Sequence, residues 1–274
     1  MKSKICRPWL TVLPTYGMCL PGEDITINFT MHVNNDLASA LNSGREVLND
    51  IIILRLENGR DYYVSVNASY GRSCFGMNIN ELVLYEVPIR QVPLDPIKRI
   101  EKFGDDQSPK LCVPKELWRV VDALYHKGLR ERDLFSVHGF AEEVHQIREC
   151  LDTGRQFDQF HVHSMAEVLI SFLSSLSSLV VPANLVPSVE IDSQNLPSVA
   201  RRFLDELPPS HYNVFMYMTS FFRECLLYRE SNQLTVVKLA RVSCNCLVVG
   251  SSGQLDKRKE GMSILMRYFL ESNI

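Results

Sequence analysis

The feature that most constrains this chain is a change of hydrophobic period part-way along it. In "DITINFTMHVN", Ile25, Ile27, Phe29, Met31 and Val33 alternate with other residues, which predicts a strand with one apolar face. "DIIILRLENGRDYYVSVNASY" reads as strand, turn, strand. Asn58-Gly59 supplies the turn, and the β-branched and aromatic residues suit a half-buried sheet. From Pro114 the spacing becomes helical. In "PKELWRVVDALYHKG", Leu117, Val120, Val121, Leu124 and Tyr125 form one stripe and Gly128 ends it. "HSMAEVLISFLSSL" opens with Ser164 and Glu167 three apart, the pattern of a capping box. "PPSHYNVFMYMTSFFRECLLYRE" predicts a long helix, apolar on most faces and therefore central, and "LTVVKLARVSCNCLVV" and "KEGMSILMRYFLES" complete an all-α half. Between the halves, "PIRQVPLDPIKRIEKFGDDQSPKLCVP" holds five prolines and no sustained apolar period, which predicts a linker with some extended structure. The chain thus reads as a partial β-sandwich over residues 1–90, a linker over 91–113 and an all-α domain over 114–274.

Composition narrows what such a chain does. It is 46% hydrophobic and 22% charged, the balance of a folded protein, and its net charge of -3 gives no broad pull toward nucleic acid. No stretch reaches the ~18 to 20 consecutive apolar residues of a membrane helix, and the N-terminus has no signal-peptide pattern. Membrane contact is expected only through partners. The eight cysteines include no CxxC pair and lie mostly in apolar runs, as small buried hydrophobes in a reducing cytosol do.

Local chemistry is sparse. Cys244 and Cys246, two apart on a helix, point away from each other and make a poor metal pair. His161 and His163 are either two ligands on one strand face or part of a polar loop before a helix. "GSSGQ" at 250–254 lacks the lysine of a phosphate loop, and no serine elbow or zinc-protease helix occurs. Cys150 and His145 fall on different sides of one helix, and Asp105 and Asp106 read as solvated charge. No cofactor or metal is implied. On these grounds alone the chain is a binding protein.

Several stretches resemble known modules in order. "DLFSVHG" at 133–139 is similar to the "GLFRVSG" loop of Rho GTPase-activating domains. "HVHSMAEVLISFLSSL" and "LPPSHYNVFMYMTSFFREC" resemble that family's next helices. "PWLTVLPTYG", "LNDIIILRLENGRDYYVSV" and "SCFG" resemble the immunoglobulin-like ASH domain of the OCRL (Lowe-syndrome type) inositol polyphosphate 5-phosphatases. "VPKELWRVVDALY" and "IRECLDTG" resemble the RhoGAP-like domain that follows it there. The resemblance implies a multidomain protein with an ASH-like sandwich, its first strands not encoded here, followed by a helical RhoGAP-like domain.

Departures from the family pattern carry the functional expectation. The catalytic arginine of the resembling GTPase-activating domains would stand at Ser136, the lysine at Ile170, the second arginine at Ser174 and the asparagine at Lys238. An arginine finger contributes about 10³ to 10⁵ in rate by setting a permanent cation against the transferring phosphoryl. Serine carries no such charge, so the expectation is a pseudo-GAP, a fold retained as a surface and not an enzyme. Nothing resembles the phosphatase motifs "WxGDxN" or "PxWCDR", so the chain is expected to be a fragment, an incomplete product or a short protein without that domain.

The resemblance further implies a recruitment module of endosomal and endocytic trafficking, cytoplasmic and brought to endosomal or Golgi membranes. Its ASH half would bind Rab GTPases through Tyr63, whose other reading is an ordinary strand aromatic. Its helical half would bind Phe-and-His motif peptides of endocytic adaptors through Trp118, Val121, Asp122 and Tyr125, with Leu117 and Val120 facing the core. The other reading of Trp118 is a core residue. The alternative function is an active activator of Rho, Rac or Cdc42 type GTPases that uses a displaced Arg130 or Arg132, whose plain reading is solvated charge.

Overall fold

Strands form where period two was read, in a computed structural model that describes residues 7–187, 191–192, 194–249 and 256–272. The glycine-serine stretch at 250–254 and Cys6 lie outside the described residues. The chain divides into two units, Met1–Gly71 and Arg72–Ile274.

In the first unit, β1 (Leu10–Leu13) pairs antiparallel with β2 (Asn28–Met31), and helix α1 (Asn35–Asn42) follows. Strands β3 (Asn49–Arg55) and β4 (Asp61–Asn67) form an antiparallel hairpin that sets Ile53 opposite Tyr63. The turn uses the expected pair: Asn58 takes the left-handed conformation at φ 60°, and the Gly59 amide donates to the Leu56 carbonyl. Trp9, Leu10, Val12, Leu41 and Leu48 make a small core. Ile25, Phe29, Met31 and Val33 do not join it and stay exposed, while Ile27 packs at its edge. Alternation fixes which side chains share a face, not whether a second layer covers that face. The sandwich is therefore partial: two two-stranded sheets and a helix.

The second unit begins earlier than the change of period suggested. The hydrophobic period places residues 72–90 with the sandwich and 91–113 in a linker, yet Cys74, Phe75, Met77, Ile79, Leu82, Ile89 and Val92 are buried in the helical core. This stretch holds α2 (Ile79–Leu82), a 3₁₀ turn (Ile89–Gln91) and α3 (Pro96–Phe103). Asp95 caps α3 by accepting from the Ile97 amide at 2.9 Å. Pro96 sits in the first turn, where its missing N–H costs nothing. The prolines punctuate short helices instead of marking a linker. Buried ions fasten the segment. The Arg72 guanidinium pairs with Glu81 and donates to the Pro93 carbonyl at 3.0 Å. The Cys74 amide donates to Asp152 at 2.7 Å.

The remaining helices are α4 (Lys115–Lys127), α5 (Ala141–Thr153), α6 (Val162–Ser175), α7 (Leu196–Glu206), α8 (Pro209–Leu227), α9 (Arg229–Asn232), α10 (Val236–Ser243) and α11 (Asp256–Glu271). A 3₁₀ turn spans Ala183–Leu185, and a π-helical segment, Cys244–Val249, follows α10. Helix α8 is central as expected, burying Val214, Phe215, Met218, Phe221, Phe222 and Cys225. Phe215 meets Phe203 and Phe269 with ring centroids 5.2 and 5.3 Å apart, a cluster that ties α7 and α11 to α8. Cys244 and Cys246 are both buried, and burial pushes the Cys225 thiol up to about 12. One member of the α4 stripe departs: Leu117, Val120, Val121 and Leu124 are buried, but Tyr125 is exposed.

Candidate functional site

The turn that carries Ser136 is built on Asp133. Asp133 adopts φ 52°, and its carbonyl accepts the amides of Ser136 at 2.8 Å and Val137 at 3.2 Å. Its own amide donates to the Asn232 carbonyl at 3.3 Å. Asn232 is fully buried, and its side-chain nitrogen donates to the carbonyls of Leu129 and Cys225 at 2.7 and 2.8 Å. A short helix far along the chain thereby holds the start of the turn and the residues that lead into it. Leu134 is buried, and Phe135 packs edge-on to Phe222 at 5.7 Å. Ser136 is left exposed.

Beyond Ser136 the chain passes so close to α6 that only glycine fits. A Cβ on Gly139 would lie 2.4 Å from the Ser164 Cα. The expected capping box is absent here. Helix α6 starts at Val162 with His161 at its cap position, and Ser164 is a buried residue inside the helix. Ser164 Oγ instead accepts the Phe140 amide at 3.1 Å and donates to Glu143 Oε2 at 2.7 Å. Glu167 accepts the Gly139 amide at 2.8 Å. The two side chains fasten the loop to α6 rather than capping the helix's own amides. The Ser164 hydroxyl, with the His161 amide, holds the Glu143 carboxyl below the ordinary carboxylate range. His161 packs edge-on against Phe140 with centroids 5.1 Å apart, and His163 Nε2 lies 3.2 Å from the Arg132 carbonyl.

Loop and helix enclose a cavity of about 230 Å³. Leu134, Ala166 and Ile170 line it with Val137, and His138 and Glu167 stand at its polar side. Ser136 and Ile170, two positions marked by the departures from the family pattern, therefore meet in one recess. Ser174, half-buried further along α6, does not line it. Lys238 is brought to the same loop from α10, its Nζ 3.4 Å from Asp133 Oδ1. Neither nearby arginine lines the recess. Arg132 donates to Gln233 Oε1 at 2.9 Å, and the Arg130 guanidinium lies 4.8 Å from the Tyr228 ring centroid. A further cation has no signal in the sequence. Arg148 on α5 lies 3.9 Å over the Phe75 ring and 3.5 Å from Ser171 Oγ, and only the packing of Phe75 reveals it.

The second candidate surface lies on α4. Trp118 is 51% exposed, so it is not the core residue of its alternative reading, and Tyr125 is 48% exposed. Asp122 is half-buried between them in sequence, with the His126 ring nitrogen 3.6 Å from its carboxylate. Val121 differs from the other three: at 4% exposure it stands with Leu117 and Val120 in the core. Tyr217 on α8 has its hydroxyl pushed up to about 12, first by burial and then by the charge of Asp122. In the first unit, Tyr63 is 69% exposed on β4.

Comparison with known proteins follows this division. Residues 1–70 match the family described as inositol polyphosphate 5-phosphatase OCRL-like, ASH domain, and residues 114–249 match the RhoGAP domain. The type II inositol 1,4,5-trisphosphate 5-phosphatase of Mus musculus is 37% identical over 250 residues, 88% of this chain and 25% of that protein. Rho GTPase-activating protein 22 of Mus musculus is 27% identical over 64% of this chain and 24% of its own length. The chain thus spans about a quarter of these relatives. The crystal structure of human Rho GTPase activating protein 15 superimposes with a TM-score of 0.57 at 12% identity, covering 73% of this chain and 90% of that one. That likeness shows the fold alone. Among the described residues no helix is long and apolar enough to cross a membrane.

Proposed function

This chain belongs to the OCRL-like inositol polyphosphate 5-phosphatase family, with its ASH domain followed by a RhoGAP domain, and on that premise we propose that it is a non-catalytic recruitment module of endosomal and endocytic trafficking. The observation that carries the reading is the recess beside Ser136. Its lining includes no lysine or arginine and does include the Glu167 carboxylate. Stimulated GTP hydrolysis needs a cation set against charge that develops on the phosphoryl oxygens. A serine hydroxyl and an isoleucine supply none. The helical half then keeps the face of a GTPase-activating domain as a docking surface for Rho, Rac or Cdc42 type GTPases, without accelerating hydrolysis.

The other contacts follow from exposure. Tyr63 stands out from β4 as a contact for a Rab GTPase. Trp118, Asp122 and Tyr125 offer an open aromatic surface to Phe-and-His adaptor peptides, with Val121 beneath as part of its support. Recruitment of a cytoplasmic protein to endosomal or Golgi membranes would run through these partners. The competing reading, an active GTPase-activating protein with a displaced arginine, requires Arg132 to leave Gln233 or Arg130 to leave Tyr228.

Single-turnover phosphate release from GTP-loaded Rho, Rac and Cdc42 type proteins tests the reading. The expected result at micromolar protein is the intrinsic rate. A hundredfold acceleration lost on Arg132→Ala would replace it with the displaced-arginine mechanism.

A further inference from the structure

The recess at the Ser136 turn has a chemistry of its own. Leu134, Val137, Ala166 and Ile170 make it apolar, and its 230 Å³ is below the roughly 300 to 1,000 Å³ of ordinary small-molecule pockets. It suits one bulky side chain better than a nucleotide. Val137 and Phe140 are 52% and 60% exposed, so apolar surface continues outward from it. The charge is equally specific. Glu167 lines the recess with 37% of its side chain open to solvent, fixed by the Gly139 amide and with His138 Nδ1 3.4 Å away. An apolar recess with a fixed carboxylate disfavours phosphate and complements an apolar side chain that has a base beside it.

We propose that this recess receives an aliphatic or aromatic side chain flanked by a lysine or arginine, presented by the small GTPase that docks on this face. The inference rests on the docking reading given above and deepens it. Because the contact is with a side chain and not with the γ-phosphate, the same recess engages the GTPase in its GDP and GTP states.

Methyl NMR of the full chain tests this, with the Val137 and Ile170 methyl signals as reporters. The probes are N-acetyl-leucyl-lysine amide, N-acetyl-leucyl-glutamate amide, inorganic phosphate, and a Rac-type GTPase loaded with GDP or with a non-hydrolysable GTP analogue. The expected result is a response to the lysine dipeptide at least threefold greater than to the glutamate one, and none to phosphate. Both GTPase states should shift the same two residues, and Val137→Asp should weaken GTPase binding at least tenfold with an unchanged unfolding midpoint. Equal responses to the two dipeptides, or a response to phosphate, would overturn the proposal. A GTPase that binds but leaves Val137 and Ile170 unmoved overturns this inference alone. A GTPase that shifts no methyl anywhere overturns the docking reading together with it.

Discussion

Lys238 Nζ lies 3.4 Å from Asp133 Oδ1 and 3.2 Å from the Gln233 carbonyl, so this cation of α10 is tied to the residue whose carbonyl anchors the Ser136 turn. The resemblance would set the asparagine of GTPase-activating domains at this position, and the contacts of Lys238 are instead with Asp133 and Gln233. Both side chains of the pair are more than 40% exposed. Such a pair contributes about 1 kcal/mol or less. Lys238→Met should therefore leave the unfolding midpoint nearly unchanged and leave GTP hydrolysis by Rho-type partners at the intrinsic rate. Phosphate-release assays on wild-type and mutant chains check both halves; a rate that depends on Lys238 would make it a catalytic cation after all.

Gly139 gives a sharper prediction. With the Ser164 Cα only 2.4 Å from where its Cβ would be, Gly139→Ala must push the loop away from α6. The cost is that of overpacking, about 1 to 3 kcal/mol. Ser164→Ala should act through a different route, removing the hydroxyl shared by the Phe140 amide and Glu143, for about 0.5 to 1.5 kcal/mol because water reaches both groups. Urea unfolding of each variant measures these losses, and an unchanged midpoint for Gly139→Ala would mean that the loop does not hold this close approach in solution.

A buried acid sets a pH dependence. Glu116, in the first turn of α4, is fully buried. The Lys115 ammonium approaches Oε1 at 2.7 Å as an ion pair, but neither carboxylate oxygen has a well-formed hydrogen bond. Burial raises its carboxyl above the ordinary value, the nearby Asp152 adds to this, and Lys115 partly opposes it. The sign follows directly: a raised carboxyl favours the folded state in its protonated form. Its stabilising contribution is full below the unfolded value of about 4.3 and is lost as pH rises through the folded value. Glu116→Gln should thus raise stability near pH 7 and lose that advantage toward pH 4. Urea midpoints across this range decide it; an advantage that grew on acidification would reverse the assignment.

Tyr63 separates an interface role from a structural one. It lies opposite Ile53 on an exposed face of the β3–β4 hairpin, outside the core formed by Trp9, Leu10, Val12, Leu41 and Leu48. Valine, like tyrosine, favours strands, so Tyr63→Val should shift the midpoint little while Rab binding falls. Surface plasmon resonance beside thermal unfolding checks this. Loss of binding accompanied by a large fall in stability would return Tyr63 to its reading as an ordinary strand aromatic.

The legible parts of the sequence were those with a strong local code. The Asn58-Gly59 turn and the α4 stripe were readable because a hairpin and a thirteen-residue amphipathic helix each repeat a spacing. Residues 72–113 were not, because α2 has four residues and α3 eight, too short for a helical period to show. Their burial depends on partners far along the chain, such as Asp152 for Cys74 and Phe172 for Phe75. Ser164 and Glu167 have the spacing of a capping box, but their hydrogen-bond partners come from the loop at Gly139 and Phe140 and the first turn of α5. That is a tertiary fact with no local signature. The place of Ser136 was legible only by resemblance, whereas the recess that it shares with Ile170 required the fold.

The burial of residues 72–113 changes how the peptide surface must be tested. A fragment starting near residue 110 would strip Phe75, Met77, Ile79 and Leu82 from the helical core, so binding has to be measured on the whole chain. On that chain Trp118 is half-open, one turn from Asp122 and two from Tyr125, while Leu117, Val120 and Val121 hold the other side of α4 in the core. Removing a central aromatic anchor from such a surface typically costs ~2 kcal/mol or more, about thirtyfold in affinity. Trp118→Ala should therefore weaken a Phe-and-His peptide by at least that factor and leave the helical circular dichroism intact, whereas Val121→Ala should chiefly lower stability. Isothermal titration beside circular dichroism separates the two. Unchanged affinity in a folded Trp118→Ala chain would remove Trp118 from the site, and no binding by the wild-type chain would remove the peptide from its partners.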